Sequence, residues 1–316
     1  MTTAIAHPNI ALVKYWGKRD AALNLPAVPS LSLTLSRYHT RTEVLWGATA
    51  DQVWLDGRAA TPREAGKVFA FLDLIDPSRP PVEVRSVNSF PTAAGLASSA
   101  SAFAALALAA TEAAGRPLPL EALSALARRG SGSAARSLWG GFVAWELGER
   151  ADGADSHGVQ VADERWWDLA LVVAVVSSGP KAVGSSEGMA RSRATSPYYP
   201  LWVEGGPADV ERARAAVLAR DLPALGEVME SSTFKMHATM HTAVPPLLYQ
   251  APATTAVLHE VQALRARGIG AWSTMDAGPN VKVLCASEDA ERVAEALRPL
   301  VERVDTLAPG PGAHLL

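Results

Sequence analysis

One cysteine, Cys285, is all that this sequence of 316 residues contains. A lone thiol excludes an internal disulfide and a cysteine-based metal cluster, and it fits a reducing compartment. Long apolar runs are missing too: 169–176, the run that reads as a buried strand, is far too short to cross a bilayer. No basic segment followed by an apolar core opens the sequence, so it predicts no signal peptide, no membrane partner and a cytoplasmic protein. Excess charge of one sign is absent. A net charge of −3 gives no reason to expect a nucleic acid partner, and any anion site must be a local concentration of basic groups. Missing as well are the Walker pattern G-x-x-x-x-G-K-[ST], a G-x-G-x-x-G after a strand, and a G-x-S-x-G elbow. His237 and His241 lie one helical turn apart, but they lack the adjacent glutamate of a metalloprotease and a third ligand for zinc.

What is present suits a globular enzyme. Hydrophobic residues make up 48% and charged residues 19% of a chain long enough for two cores. Alternation predicts a strand at 30–36, and 41–46 with 53–55 reads as a hairpin. Helices are expected at 62–74, 102–114 and 120–129, with strands at 82–87 and 141–145. The polar, acidic stretch 151–167 suggests a boundary, giving domains 1–167 and 168–316. Beyond it, 169–176 reads as a buried strand, followed by a loop rich in Ser, Gly and Pro. Helices are expected at 208–219, 223–238, 254–267 and 290–297, and strands at 271–275, 281–285 and 301–306. Strands and helices mix without regular alternation, which predicts an α+β fold.

Four segments concentrate chemistry. The stretch 90–101 is small, flexible and rich in hydroxyls, and it runs into an alanine-rich helix. A helix start offers unpaired N–H groups and partial positive charge, Gly95 permits close approach, and Ser98, Ser99 and Ser101 add donors, which suits a polyphosphate. An N-capped core helix would use the same residues. A second such loop, Gly130 to Arg136, adds a guanidinium able to grip a carboxylate or phosphate with two prongs. Lys14 interrupts an apolar run, where an ammonium needs a counter-charge or a path to water. Asp276 begins the turn Asp276-Ala277-Gly278-Pro279-Asn280. It either bonds its own turn or, beside Lys14 and Arg136, stays ionised to hold or deprotonate a hydroxyl.

In order along the chain, Lys14-Tyr15-Trp16-Gly17-Lys18-Arg19-Asp20, Leu23 to Pro26, Phe90 to Ser99, Gly130 to Gly141 and Asp276 to Asn280 resemble the signatures of the diphosphomevalonate decarboxylases. The resemblance spans nearly the whole chain. It implies the two-domain GHMP kinase fold with the active site in a cleft between domains. It also implies ATP-dependent decarboxylation of mevalonate 5-diphosphate to isopentenyl diphosphate, with ATP and Mg²⁺ as cofactors and a homodimer as the assembly. By the same resemblance Asp276, Lys14 and Arg136 are catalytic. Tyr15, Lys18, Ser131, Gly132, Ser133, Arg136, Ser185 and Met189 contact substrate, and Asn9, Ala94, Gly95, Leu96, Ala97, Ser98 and Ser99 bind ATP.

The segment 176–184 departs from the family pattern, and Ser186 stands where bacterial members often carry a phosphate-holding arginine. Arg191 and Arg193 lie close enough in sequence to compensate. A phosphomevalonate decarboxylase, a GHMP small-molecule kinase without carbon loss, and a non-catalytic anion-binding protein on the same scaffold are the alternatives.

Overall fold

The computed structural model of the chain describes residues 1–90, 98–179 and 182–316. Helices and strands mix as an α+β fold, with three main sheets among the described residues. A six-stranded sheet runs His314–Leu315, Thr2–Ala6, Thr40–Trp46, Val82–Asn88, Gln52–Leu55, Arg58–Ala59. Helix Ser98–Ala113 is apolar nearly all round and is buried accordingly, its alanines packing with Ala4, Val44 and Val84 of this sheet.

The expected hairpin of 41–46 and 53–55 does not form. Val82–Asn88 runs between those two strands, antiparallel to Thr40–Trp46 and parallel to Gln52–Leu55. A parallel pair needs a crossover, and helix Pro62–Leu72 supplies it. That helix starts on a capping box, in which Glu64 N–H donates to Thr61 Oγ1 and Thr61 N–H donates to Glu64 Oε2. Alternation identified the strands correctly, but it carries no information about which strand pairs with which.

The second sheet runs Gly158–Ala162, Phe142–Trp145, Ser30–Thr34, Asn9–Val13, and the third runs Ala271–Met275, Val281–Ala286, Leu169–Val175, Arg303–Leu307. All pairs in both are antiparallel. Helices Tyr199–Ala219 and Leu222–His241 join them into one core. Ile10, Leu12, Leu31 and Phe142 of the second sheet meet Leu171, Val173 and Leu284 of the third through Val210, Val217, Leu225 and Met229 of the helices. Helices Pro252–Ala266 and Ala290–Leu297 cover the other face of the third sheet.

Three elements exceed the sequence expectation. Tyr199–Ala219 begins well before 208 and runs through Gly205, Gly206 and Pro207, poor helix formers overridden by packing. Ser185–Thr195 forms a helix inside the stretch read as loop, because its polar composition hides any periodicity. Residues 308–316 return to the first half: Ser36 N–H donates to Ala308 O (2.8 Å) and Gly310 N–H to Thr34 O (2.8 Å). Only glycine fits at 310, since a Cβ would lie 2.3 Å from the Leu35 backbone.

Two alanine substitutions are expected to have opposite signs. Gly66 lies inside Pro62–Leu72 with open space around it, so Gly66→Ala should stabilise by about 0.5–1 kcal/mol. Gly226 lies inside Leu222–His241, where a Cβ would sit 2.1 Å from the Trp272 ring. Its helix-propensity gain is outweighed by overpacking, and Gly226→Ala should destabilise by about 1–3 kcal/mol. Urea denaturation of both variants checks the two signs.

Candidate active site

Asp276 follows strand Ala271–Met275, and Val281–Ala286 returns beside it in register, with Met275 opposite Val281 and Thr274 opposite Lys282. The intervening turn is anchored by Asn280, whose Oδ1 accepts from the N–H groups of Val176 (2.8 Å) and Ser177 (3.1 Å). The Asp276 carboxylate therefore opens onto a cleft of about 1090 Å³. Lys14 Nζ lies 2.7 Å from Oδ1, and Lys282 Nζ lies 3.1 Å from Oδ2. Both lysines are fully buried, whereas the Asp276 side chain keeps 36% of its surface exposed toward the cleft.

Burial pushes the Asp276 carboxyl upward, but the two ammonium charges and their hydrogen bonds outweigh it and hold the group well below the ordinary carboxylate range. Burial is the main force acting on Lys14. Asp276 opposes it, Lys282 and Arg136 reinforce it, and the ammonium is brought down to about 8.

Arg136 ends the short helical turn Gly132–Arg136 and is fully buried. Its Nη1 donates to Ser30 Oγ (2.7 Å), and Nε and Nη2 donate to Asn9 Oδ1 (3.3 and 3.2 Å). Asn9 is itself fixed by donating Nδ2 to Ser133 O (3.0 Å) and Ser137 Oγ (2.7 Å). The guanidinium lies 5.7 Å from the Trp145 ring centroid. Burial draws Arg136 down to about 10, against attraction from Tyr15 and Asp276. Among the described residues no carboxylate pairs with it. A buried cation with only neutral partners is a ready acceptor for an anion.

Lys14, Tyr15, Lys18, Ser131, Gly132, Ser133, Arg136, Ser185, Met189 and Asp276 all line the cleft, together with Asn9, Ser98 and Ser99. Tyr15 Oη is buried without a hydrogen-bond partner among the described residues, and burial raises its phenol pKa. Glycine at 132 lets this hydroxyl approach, since a Cβ there would lie 2.9 Å from it. The two serine loops meet: Ser99 Oγ is 3.2 Å from Ser131 Oγ, which is 3.4 Å from Ser133 Oγ. Ala94, Gly95, Leu96 and Ala97 of the expected ATP loop, and Lys181, lie outside the described residues.

Lys14, Arg136 and Asp276 converge on the one cleft as expected, but Arg136 makes no ion pair with Asp276; the second cation on the carboxylate is Lys282. The sequence did signal it, because Lys282 interrupts an apolar strand just as Lys14 interrupts one. Leu284, two residues on, faces the shared core, so position 282 is a core position that an ammonium occupies only with a counter-charge. Arg191 and Arg193 do not reach the cleft. Arg191 pairs with Glu187 (2.7 Å), and Arg193 donates to the Lys18 carbonyl (2.6 Å). His237 is buried near Asp276, and burial first, then Lys14 and His241, bring it down to about 4, so the imidazole is neutral. Among the described residues no group of three His, Cys, Asp or Glu is placed to hold a metal.

Family models match the chain over residues 6–158, as a diphosphomevalonate decarboxylase-like N-terminal domain, and over 171–309, as a mevalonate 5-diphosphate decarboxylase C-terminal domain. The diphosphomevalonate decarboxylase of Candida albicans is 38% identical over 308 residues, covering 92% of this chain and 85% of that one. Mevalonate diphosphate decarboxylase from Staphylococcus aureus superposes with a TM-score of 0.94 at 38% identity, covering 100% of this chain and 97% of that one. MDDEF in complex with MVAPP, AMPPCP and magnesium superposes with a TM-score of 0.93 at 39% identity, covering 100% and 98%.

Asp276→Asn would leave two buried ammonium groups without their counter-charge. A broken buried pair costs several kcal/mol, but the partial exposure of Asp276 screens it, so a loss of roughly 1–3 kcal/mol is expected near pH 7. The loss should shrink as pH rises toward about 8, because Asp276 raises the Lys14 pKa to that value and without the carboxylate Lys14 sheds its proton at lower pH. Thermal melts of wild type and variant from pH 6 to pH 10 check this; a gap that widens with pH contradicts it.

Proposed function

This chain belongs to the diphosphomevalonate decarboxylase family, and we propose that it converts mevalonate 5-diphosphate and ATP to isopentenyl diphosphate, ADP, phosphate and CO2. The observation that carries the reading is an anionic Asp276 held by two buried ammonium groups at one cleft, with an unpaired buried guanidinium on the same wall.

A tertiary hydroxyl is a poor leaving group, so the γ-phosphoryl group of ATP is first transferred to it. The new P–O bond forms as the γ-phosphorus to bridging-oxygen bond of ATP breaks, ADP leaving with that electron pair, and the hydroxyl proton departs. The C–O bond then breaks with phosphate leaving, and the C–C bond to the carboxylate gives its electrons to the new alkene as CO2 is lost. Asp276 accepts a hydrogen bond from the hydroxyl and aims its oxygen at phosphorus. Held so far below its ordinary pKa, it is a weak base and takes the proton only as the P–O bond forms and the hydroxyl becomes acidic. Arg136 grips the substrate carboxylate with its planar fork, oriented beforehand by Ser30 and Asn9. Tyr15, Lys18, Ser131, Gly132, Ser133, Ser185 and Met189 receive the rest of the substrate, including its diphosphate arm.

Ser98 and Ser99, at the start of helix Ser98–Ala113, are assigned to the ATP phosphates, and Asn9 to the transferred phosphate. Mg²⁺ would fit this donor set as a cation held chiefly by nucleotide phosphates, to which the Ser98 and Ser99 hydroxyls would add hard oxygen ligands. When bound it neutralises charge on the β- and γ-phosphates. We place the boundary between the two domains near 167–168 and the protein in the cytoplasm; among the described residues no helix is long and apolar enough to cross a membrane. A homodimer is also proposed, supported by the exposed Tyr198, Leu201, Phe234, Val244 and Leu248 around the adjoining ends of two helices. Sedimentation at micromolar concentration tests it.

Release of ADP and CO2 from mevalonate 5-diphosphate, with kcat/KM above that for mevalonate 5-phosphate, is the expected outcome; ADP without CO2 would point to a kinase. Asp276→Asn should lower kcat by about 10²–10⁴-fold while changing KM for ATP little. Arg136→Lys should also lower kcat/KM, because a point charge cannot reproduce a bidentate grip.

A further inference from the structure

We propose that Lys282 is a positioning residue that keeps Asp276 anionic and aimed while Lys14 turns to the substrate. This rests on the decarboxylase reading above and assigns a division of labour within its site.

The two lysines reach the carboxylate from different foundations. Lys282 and Asp276 belong to one hairpin, six residues apart, with Thr274 opposite Lys282 and Met275 opposite Val281. The turn between them is pinned to Val176 and Ser177 by Asn280. Sheet register therefore fixes this contact whatever the cleft does. Lys14 lies 262 residues from Asp276 and is delivered by the end of strand Asn9–Val13, in the other half of the chain. Its backbone N–H is held by Ser232 Oγ (2.9 Å), but its ammonium is free to change partner without breaking any strand pairing. Lys14 also shares its segment with Tyr15 and Lys18, both on the cleft wall.

A substrate carrying a carboxylate and an incoming phosphoryl group draws toward itself the ammonium that the Asp276 hairpin does not hold, that of Lys14. Asp276 then keeps one cation. Lys282 also lines the cleft, but its backbone belongs to the Asp276 hairpin and its side chain shares the core face of Leu284, so it stays with the carboxylate. The other groups facing Asp276 cannot take over. His237, from helix Leu222–His241, is neutral, and Arg136 is engaged by Ser30 and Asn9. Without Lys282, burial alone would act on the carboxyl whenever Lys14 moved. A protonated Asp276 would offer a donor where the tertiary hydroxyl needs an acceptor.

The test is Lys282→Met, assayed for CO2 release from mevalonate 5-diphosphate across pH beside the wild type. Expected is a fall in kcat of about 10–100-fold at pH 7, with KM for both substrates changed less than about threefold. The acid limb of kcat should move up by about one pH unit or more, and Lys282→Arg should recover most of the loss. An acid limb in the same place as in the wild type would overturn the proposal. A raised KM at unchanged kcat would also overturn it, by making Lys282 a substrate contact. Should Lys282→Met fail to fold, the ¹³C carboxyl shift of Asp276 in wild type bound to mevalonate 5-diphosphate decides. Ionisation persisting well below the ordinary carboxylate range supports the role, and titration at the ordinary value refutes it. A wild type releasing no CO2 would remove the decarboxylase reading itself, an outcome distinct from all of these.

Discussion

Between Lys14 and Lys282, the Asp276 carboxylate joins the two halves of the chain through charge, and the cleft is organised around that contact. Two buried ammonium groups on one carboxylate leave the cluster with excess positive charge. Arg136 adds another buried cation nearby without a carboxylate of its own. In a chain whose net charge is −3, this local surplus comes from placement and not from composition. A site left cationic in its resting state binds anions most strongly where they are desolvated, which is what a reaction between ATP and a substrate carrying both a carboxylate and a diphosphate requires.

The same surplus governs how Asp276 can act. A strong general base needs a pKa near the working pH, whereas the two lysines drive this one in the opposite direction. In the mechanism proposed above they provide instead an acceptor whose ionisation and aim stay constant while charge builds up on the neighbouring phosphoryl group. Catalysis then depends on orientation and preorganised electrostatics, in keeping with a phosphoryl transfer that asks little covalent chemistry of the protein.

Much of this was legible along the chain, because its signals are local. The hydroxyl loops, the lysine within an apolar run and the aspartate at a turn each announced a group out of place in a plain core. Pairing was not legible. Val82–Asn88 inserts between two strands that neighbour each other in sequence, and 308–316 returns to the first sheet, both by contacts that no local pattern encodes. Lys282 carries the same local signal as Lys14, an ammonium within an apolar strand, but its partner is not legible: only the packing of the helices makes the face it shares with Leu284 the shared core.

That packing explains why an acid from one end of the chain can meet a base from the other with hydrogen-bond accuracy. Strand Asn9–Val13 and strands Ala271–Met275 and Val281–Ala286 belong to different sheets, so no backbone ladder sets the distance from Lys14 to Asp276. The shared core does. Helix Leu222–His241 lies against both sheets: its Ser232 accepts the Lys14 N–H, and its Thr233 hydroxyl lies 2.9 Å from the Thr274 hydroxyl. Consecutive residues of one helix thus fix the strand end that carries Lys14 and the strand that leads to Asp276. A close-packed interior transmits such placement with little slack. Gly226 of the same helix, pressed against Trp272, is where one added methyl would be felt four turns or less from the chemistry.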